Sequence, residues 1–170
     1  GYYSKPPLLA WFLGSYSALF GDSFVSLKIF PIVIYFFISY TIYKLCLNLS
    51  FDKKKAQLCA LSFLIIPAAS LSSFLISTDL LLLLFWAISM VLLLKVIKTN
   101  LTINFFLLGL VLGLGFLAKY AAIYFLLSLL LLLFLDKTSF KSFRNNPLGV
   151  LVFLLSFAMV LLPNIFWNFN

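Results

Sequence analysis

Three charged side chains stand apart from the rest of this 170-residue sequence: Lys5 in GYYSKPPLLAW, Asp79 in FLISTDLLLLLFW and Lys119 in GLVLGLGFLAKYAAIYFLL. Each sits beside a long apolar run. A lysine ammonium offers three donors and a compact charge, so two of them can neutralise a bound anion such as a phosphate. If that phosphate is a leaving group, the same lysines stabilise charge that grows as the bond breaks, and so accelerate the step as well as bind. A carboxylate beside them can orient a nucleophile or take its proton. Each residue also has a plainer role open to it. Asp79 can cap a helix, Lys119 can snorkel to an interface, and Lys5 can anchor among its aromatic neighbours.

The elements that must position these residues lie in a membrane. The chain is 65% hydrophobic and 9% charged with a mean hydropathy of +1.20, against about 25% charged residues in a usual globular domain. Twelve Lys/Arg oppose four acids, all Asp, for a net charge of +8. These cations fall in short loops between apolar runs and make no continuous basic face, which excludes nucleic acid as a partner. Histidine is absent, so this segment supplies no imidazole base and no His-ligated metal. No metal ligand and no cofactor site is expected within it; a divalent metal elsewhere in the full protein stays open. Cys46 and Cys59 flank one basic loop and read as small apolar fillers near helix ends. Gly1 in place of Met predicts that the chain is a segment of a longer protein.

Apolar runs punctuated by charge or proline predict an all-α, polytopic transmembrane bundle with six spans, near 29–47, 57–77, 80–97, 103–118, 121–135 and 147–163. Residues 1–28 form a juxtamembrane region ahead of spans 29–163. Within it, residues 7–20 make a helix of about 21 Å, short of the ~30 Å hydrocarbon core, and are expected along the interface. Pro6-Pro7 suits its start, Gly21-Asp22-Ser23 its stop and the next N-cap, and Pro31 a kink in the following helix. Gly109, Gly113 and Gly115 predict close helix packing along one side of the fourth span.

With the N-terminus outside, nine cations fall in inner loops (Lys44, Lys53, Lys54, Lys55, Lys95, Lys98, Lys137, Lys141 and Arg144) and three outside (Lys5, Lys28 and Lys119). The bias is positive-inside, with residues 50–56 and 136–146 cytoplasmic. The spans on either side of Lys119 extend only about 24 and 22 Å, so the turn carrying Lys119 and Tyr120 is expected below the outer surface, lining a cavity. A phosphate on a membrane lipid suits such a site, the ammonium groups holding the phosphate and the helix faces the chain. These physical grounds admit either an enzyme acting on a lipid phosphate or a transporter or flippase for a lipid-linked saccharide.

GYYSKPPLLAWFLGSYSALFGDS, STDLLLLLFWA, GLGFLAKYAA and LLPNIFWN, in that order and spacing, resemble the dolichyl-phosphate-mannose-protein mannosyltransferase-like family across essentially the whole chain. The YYxKPP block is the specific part. The family includes bacterial enzymes that take a sugar from a polyprenyl phosphate, such as aminoarabinose transferases acting on lipid A. The resemblance implies the GT-C fold with an active site at the outer face of the membrane. It implies a polyprenyl-phosphate-linked sugar as donor, membrane lipids as surroundings, and a protein, lipid A or another glycan as acceptor. Lys5 and Lys119 then look like donor-phosphate ligands and Asp79 like the second acidic position, with Tyr2 and Tyr3 shaping the pocket. The principal acidic residue of the family precedes the YYxKPP block, upstream of Gly1. Phe, Ile, Lys and Asn usage suits an AT-rich bacterial genome, hence a multi-pass protein of the inner membrane.

Overall fold

A proline and a glycine bracket the first helix. A computed structural model describes the backbone of residues 6–169 and the side chains of residues 6–166; Tyr2, Tyr3 and Lys5 lie outside the described residues. Helix α1 (Leu8–Phe20) follows Pro7 and stops at Gly21, whose φ of 79° is open to glycine without a Cβ clash. Ser23 then caps α2 (Phe24–Asn48), its hydroxyl accepting from the Ser26 N–H at 3.2 Å. The Gly-Asp-Ser stop and restart thus has the form that the sequence predicts. Helix α2 runs on through Pro31, which is buried and lacks the N–H that would bond Leu27 O.

The apolar run expected to cross at 57–77 is instead broken. Helix α3 (Lys53–Ile65) ends because Ile66, preceding Pro67, is driven to ψ 125° by the proline ring. Pro67 then opens the short α4 (Pro67–Ser72) from its first turn. After it come α5 (Thr78–Thr99), α6 (Thr102–Ala118), a 3-10 turn (Tyr120–Ala122), α7 (Ile123–Leu135), α8 (Lys137–Asn145) and α9 (Pro147–Phe169). Residues 136–146, read from sequence as a loop, are mostly the helix α8. It meets α7 at 102° and so lies across the end of the bundle.

Among the described residues the chain is helical with no strand, and it is an integral membrane protein. Three helices, α2, α5 and α9, are each long and apolar enough to cross a bilayer, and a fourth crossing arises if α7 and α8 count as one bent span. A count of six spans further requires α3–α4 and the 17-residue α6 to cross in shorter pieces.

The long helices stand side by side in the order α3, α2, α5, α6, α9, with α1 against α2 and α6. The closest contact is α6 on α9. A Cβ on Gly113 would lie 2.8 Å from Val160 Cβ, and one on Gly109 would run into Ser156 and the Phe153 carbonyl. Small residues four apart let the two backbones approach, where lipid offers no hydrophobic drive to bring helices together. Gly115 does not share that face. A Cβ there meets Phe85 and Ala122 at ordinary distances, which corrects the expectation of a three-glycine stripe.

Two clusters form the interior. One joins Leu8, Phe30, Ile34, Leu80, Leu81, Leu84, Leu117 and Ala118 at one end; the other joins Leu92, Val96, Phe105, Leu108, Phe125, Phe143 and Phe153 toward the opposite end. At that second end Lys98 Nζ donates to Asn48 O, Ser142 Oγ to Val96 O, and Asn146 Nδ2 to Asn100 O. These bonds gather the C-termini of α2 and α5 with α8 and the start of α9. The nine cations assigned to one side of the membrane therefore share one end of the bundle, hereafter the basic end.

Candidate active site

At the opposite end, α5 begins where α6 finishes. Ser77 occupies the N-cap position of α5 without a side-chain cap bond, so Asp79 falls in the first helical turn rather than at the cap. Its carboxylate faces the favourable N-terminal end of the helix dipole. Across the gap α6 ends at Ala118, and Lys119 takes an extended conformation (φ −159°, ψ 135°) that carries its side chain out of the helical path. Its own N–H still closes on Gly115 O at 3.0 Å, and its carbonyl accepts from Ala122 N–H at 3.0 Å. The turn is therefore held by its backbone, and the side chain is left for other work.

That side chain reaches Asp79. Lys119 Nζ donates to Asp79 Oδ1 at 2.5 Å, joining residues 40 apart in the chain. The lysine side chain is 40% exposed and the aspartate 56%, so the pair sits at an open rim rather than in a sealed interior. A half-exposed pair of this kind contributes only ~0–1 kcal/mol to stability. Its chemical content is larger than its structural one. One of three ammonium protons is used by Asp79, and among the described residues the other two and Asp79 Oδ2 have no side-chain partner, which leaves donors for an anion and an acceptor for an incoming hydroxyl.

Below the pair the packing is tight: Leu80, Leu81, Leu117 and Ala118, the chain neighbours of the two charges, are buried in one cluster. Leu8 belongs to the same cluster, which brings the start of α1 to this end. Phe12 packs edge-on against Phe85 at 6.3 Å, and Tyr16 O–H donates to Ser26 O, fixing α1 along α5 and α2. Lys28 closes the same end by donating to Phe74 O at 3.2 Å.

Of the six residues singled out from sequence, the structure thus joins Asp79 to Lys119, with Tyr120 next in the chain. Tyr120 is about half exposed, and its hydroxyl accepts from Asn164 Nδ2 at 3.4 Å. Asn164 was not among the candidate residues, although it belongs to the LLPNIFWN block. Its signal was available as an amide directly after Pro163 in an otherwise apolar helix. No group of three or more metal-binding side chains occurs among the described residues.

An all-helical, multi-pass membrane protein with an acid and a base paired at one end of its bundle is a class that holds both carriers and transferases. The sequence as a whole decides the family. Residues 4–167 match the dolichyl-phosphate-mannose-protein mannosyltransferase family, and the chain belongs to it. It is also similar to the lipid A galacturonosyltransferase RgtD of Rhizobium johnstonii, 28% identical over 169 residues, covering 99% of this chain. The chain spans 35% of that relative's length. No solved structure matches it.

Proposed function

We propose that the complete protein is a membrane glycosyltransferase that moves a sugar from a polyprenyl-phosphate donor to an acceptor at the outer face of a bacterial inner membrane. The observation that carries this reading is the Asp79–Lys119 pair, standing at the end of the bundle away from the nine cations, in a chain of this family. With the basic end cytoplasmic, the pair faces outside. Lys119 offers its remaining donors to the donor phosphate, and that contact strengthens as the phosphate departs with the bonding electrons. Asp79, beside it, orients the acceptor hydroxyl or takes its proton, assisting a principal carboxylate upstream of Gly1.

Lys5 joins as the second phosphate ligand. It is three residues from Leu8, a tether of at most ~11 Å, and Leu8 is buried among the neighbours of Asp79 and Lys119. Tyr2, Tyr3 and Tyr120 then line the donor's path. The name of the rhizobial relative supports lipid A as the first acceptor to try, ahead of protein or another glycan.

The test is an assay of the complete protein in proteoliposomes with radiolabelled polyprenyl-phosphate sugars, offered lipid A, peptide and glycan acceptors. Label is expected in one acceptor class. Passage of labelled donor across the bilayer without transfer to any acceptor would assign the pair to a lipid-saccharide flippase instead.

A further inference from the structure

The basic end carries a second, separate arrangement. Helix α8 presents Lys137, Lys141 and Arg144 at positions i, i+4 and i+7, within about 60° of one face, all exposed. The opposite face is fixed to the protein. Ser139 and Ser142 are buried, Ser142 donating to Val96 O at 3.1 Å, and Phe143 packs edge-on against Phe105 at 5.1 Å. The cations are therefore held outward and cannot roll under.

Among the described residues no carboxylate lies within salt-bridge distance of the three. The nearest in sequence, Asp136, is committed to the start of α8, accepting from Ser139 N–H at 2.7 Å and from Ser139 Oγ at 2.6 Å. Beside the stripe, where α7 turns through 102° into α8, lies a hollow of about 480 Å³ lined by Leu130, Phe134, Phe140, Phe143, Val150 and Arg144. Arg144 is thus both a member of the stripe and a wall of the hollow. Phe134, 88% exposed, leaves the hollow open on the side where lipid would stand.

We propose that this is a binding site for an anionic glycerophospholipid of the leaflet at the basic end, with the phosphate on Arg144 and Lys141, Lys137 nearby, and one acyl chain in the α7–α8–α9 hollow. A planar guanidinium suits two phosphate oxygens at once, and the adjacent ammonium adds point charge. An apolar hollow joined to an unpaired cation matches a molecule that is apolar along its chain and anionic at its head. Neither a free phosphate nor a neutral lipid uses both halves. A helix set across the end of a span, with cations outward and aromatics toward the chains, lies at the headgroup level.

The experiment titrates the complete detergent-solubilised protein by native mass spectrometry with phosphatidylglycerol, phosphatidylcholine of the same chains, and glycerophosphoglycerol, the headgroup without chains. Phosphatidylglycerol should bind at least about tenfold more tightly than either control ligand. The triple variant Lys137→Gln/Lys141→Gln/Arg144→Gln should weaken it by about fivefold per cation, on the order of a hundredfold in all, with phosphatidylcholine unchanged. Lys53→Gln/Lys54→Gln/Lys98→Gln removes the same charge from the same end and should change it less than threefold. Leu130→Trp, which fills the hollow and keeps the cations, should weaken it severalfold. Should the α8 triple fail to purify, Arg144→Gln alone carries the fivefold expectation. Equal losses in the two triples, equal binding of the bare headgroup, or no effect of Leu130→Trp would each overturn the site.

Discussion

Three of the four aspartates stand at helix starts, and they are used in two different ways. At the basic end, Asp52 and Asp136 are N-caps: Asp52 accepts from Lys55 N–H at 2.7 Å, and Asp136 accepts from Ser139 N–H at the same distance. Each carboxylate is consumed by the helix that it begins. At the other end Asp79 lies inside the first turn, makes no cap bond, and turns instead to Lys119 on another helix. The same residue type beside a helix start thus serves local structure in two cases, where a basic or polar first turn follows, and a long-range charge pair in the third, where an apolar run follows. A cap explains itself through the backbone it satisfies. A half-exposed ion pair between two helices adds little stability, so its stability contribution does not account for it, and the proposed site gives it a task.

The sharpest way to break this contrast is to remove the lysine charge and keep its stem. Lys119→Met in the complete protein should lower transfer by about ten- to a hundredfold, the worth of a charge-assisted phosphate contact of ~1.5–3 kcal/mol, with membrane abundance near wild type. Initial rates normalised to protein in the membrane report it; a large fall in abundance with normal turnover would make Lys119 structural.

A smaller effect of the opposite kind is expected at the basic end. Asp52→Ala deletes a cap and should lower stability by about 1 kcal/mol or less, the carboxylate being exposed, while leaving transfer per folded molecule unchanged. Thermal unfolding and normalised rates measured side by side check both halves. If Asp52→Ala reduced turnover as Lys119→Met does, the division between capping and site aspartates would fail.

The smallest effect is in pH. Bonds from the Ser139 side chain, then from its N–H, hold the Asp136 carboxyl below its ordinary range. A carboxyl whose folded value is depressed stabilises the protein above its unfolded value, near 3.9, and that contribution fades as pH falls through the folded value. The melting temperature of wild type should therefore exceed that of Asp136→Asn at neutral pH by a margin that shrinks below about pH 4. A margin that stays constant to lower pH would remove the carboxylate's role as a cap.

Local grammar made much of this legible in the sequence. Gly21-Asp22-Ser23 announced a stop and a start because glycine and serine have backbone reasons to be there, and the apolar runs near α2, α5 and α9 were long enough to find by length alone. The break at Pro67 was missed, although the restriction on the residue before proline could have shown it. Helix α8 was hidden because its cations were counted as loop charge rather than as a helical period, even with Lys137, Lys141 and Arg144 on one stripe. Which glycines of α6 meet α9 depends on the partner helix, so Gly115 could not be separated from Gly109 and Gly113 by spacing. At the candidate site, Asp79 and Lys119 were found by their violation of the surrounding pattern. Tyr120 with Asn164 is a pairing of residues 44 apart, which no local pattern encodes.

The central claim is that Asp79 and Lys119 act as one site, and a double-mutant cycle in the complete protein tests it most directly. Asp79→Asn keeps the size and removes the charge, Lys119→Met keeps the stem, and initial transfer rates are taken at subsaturating donor with abundance normalised. Each single variant should lose at least about tenfold, and the double should differ from the product of the singles by the equivalent of at least ~0.5 kcal/mol, because each partner's role depends on the other. Strictly additive losses would place the two residues at separate tasks, and wild-type turnover in Asp79→Asn would contradict the claim outright.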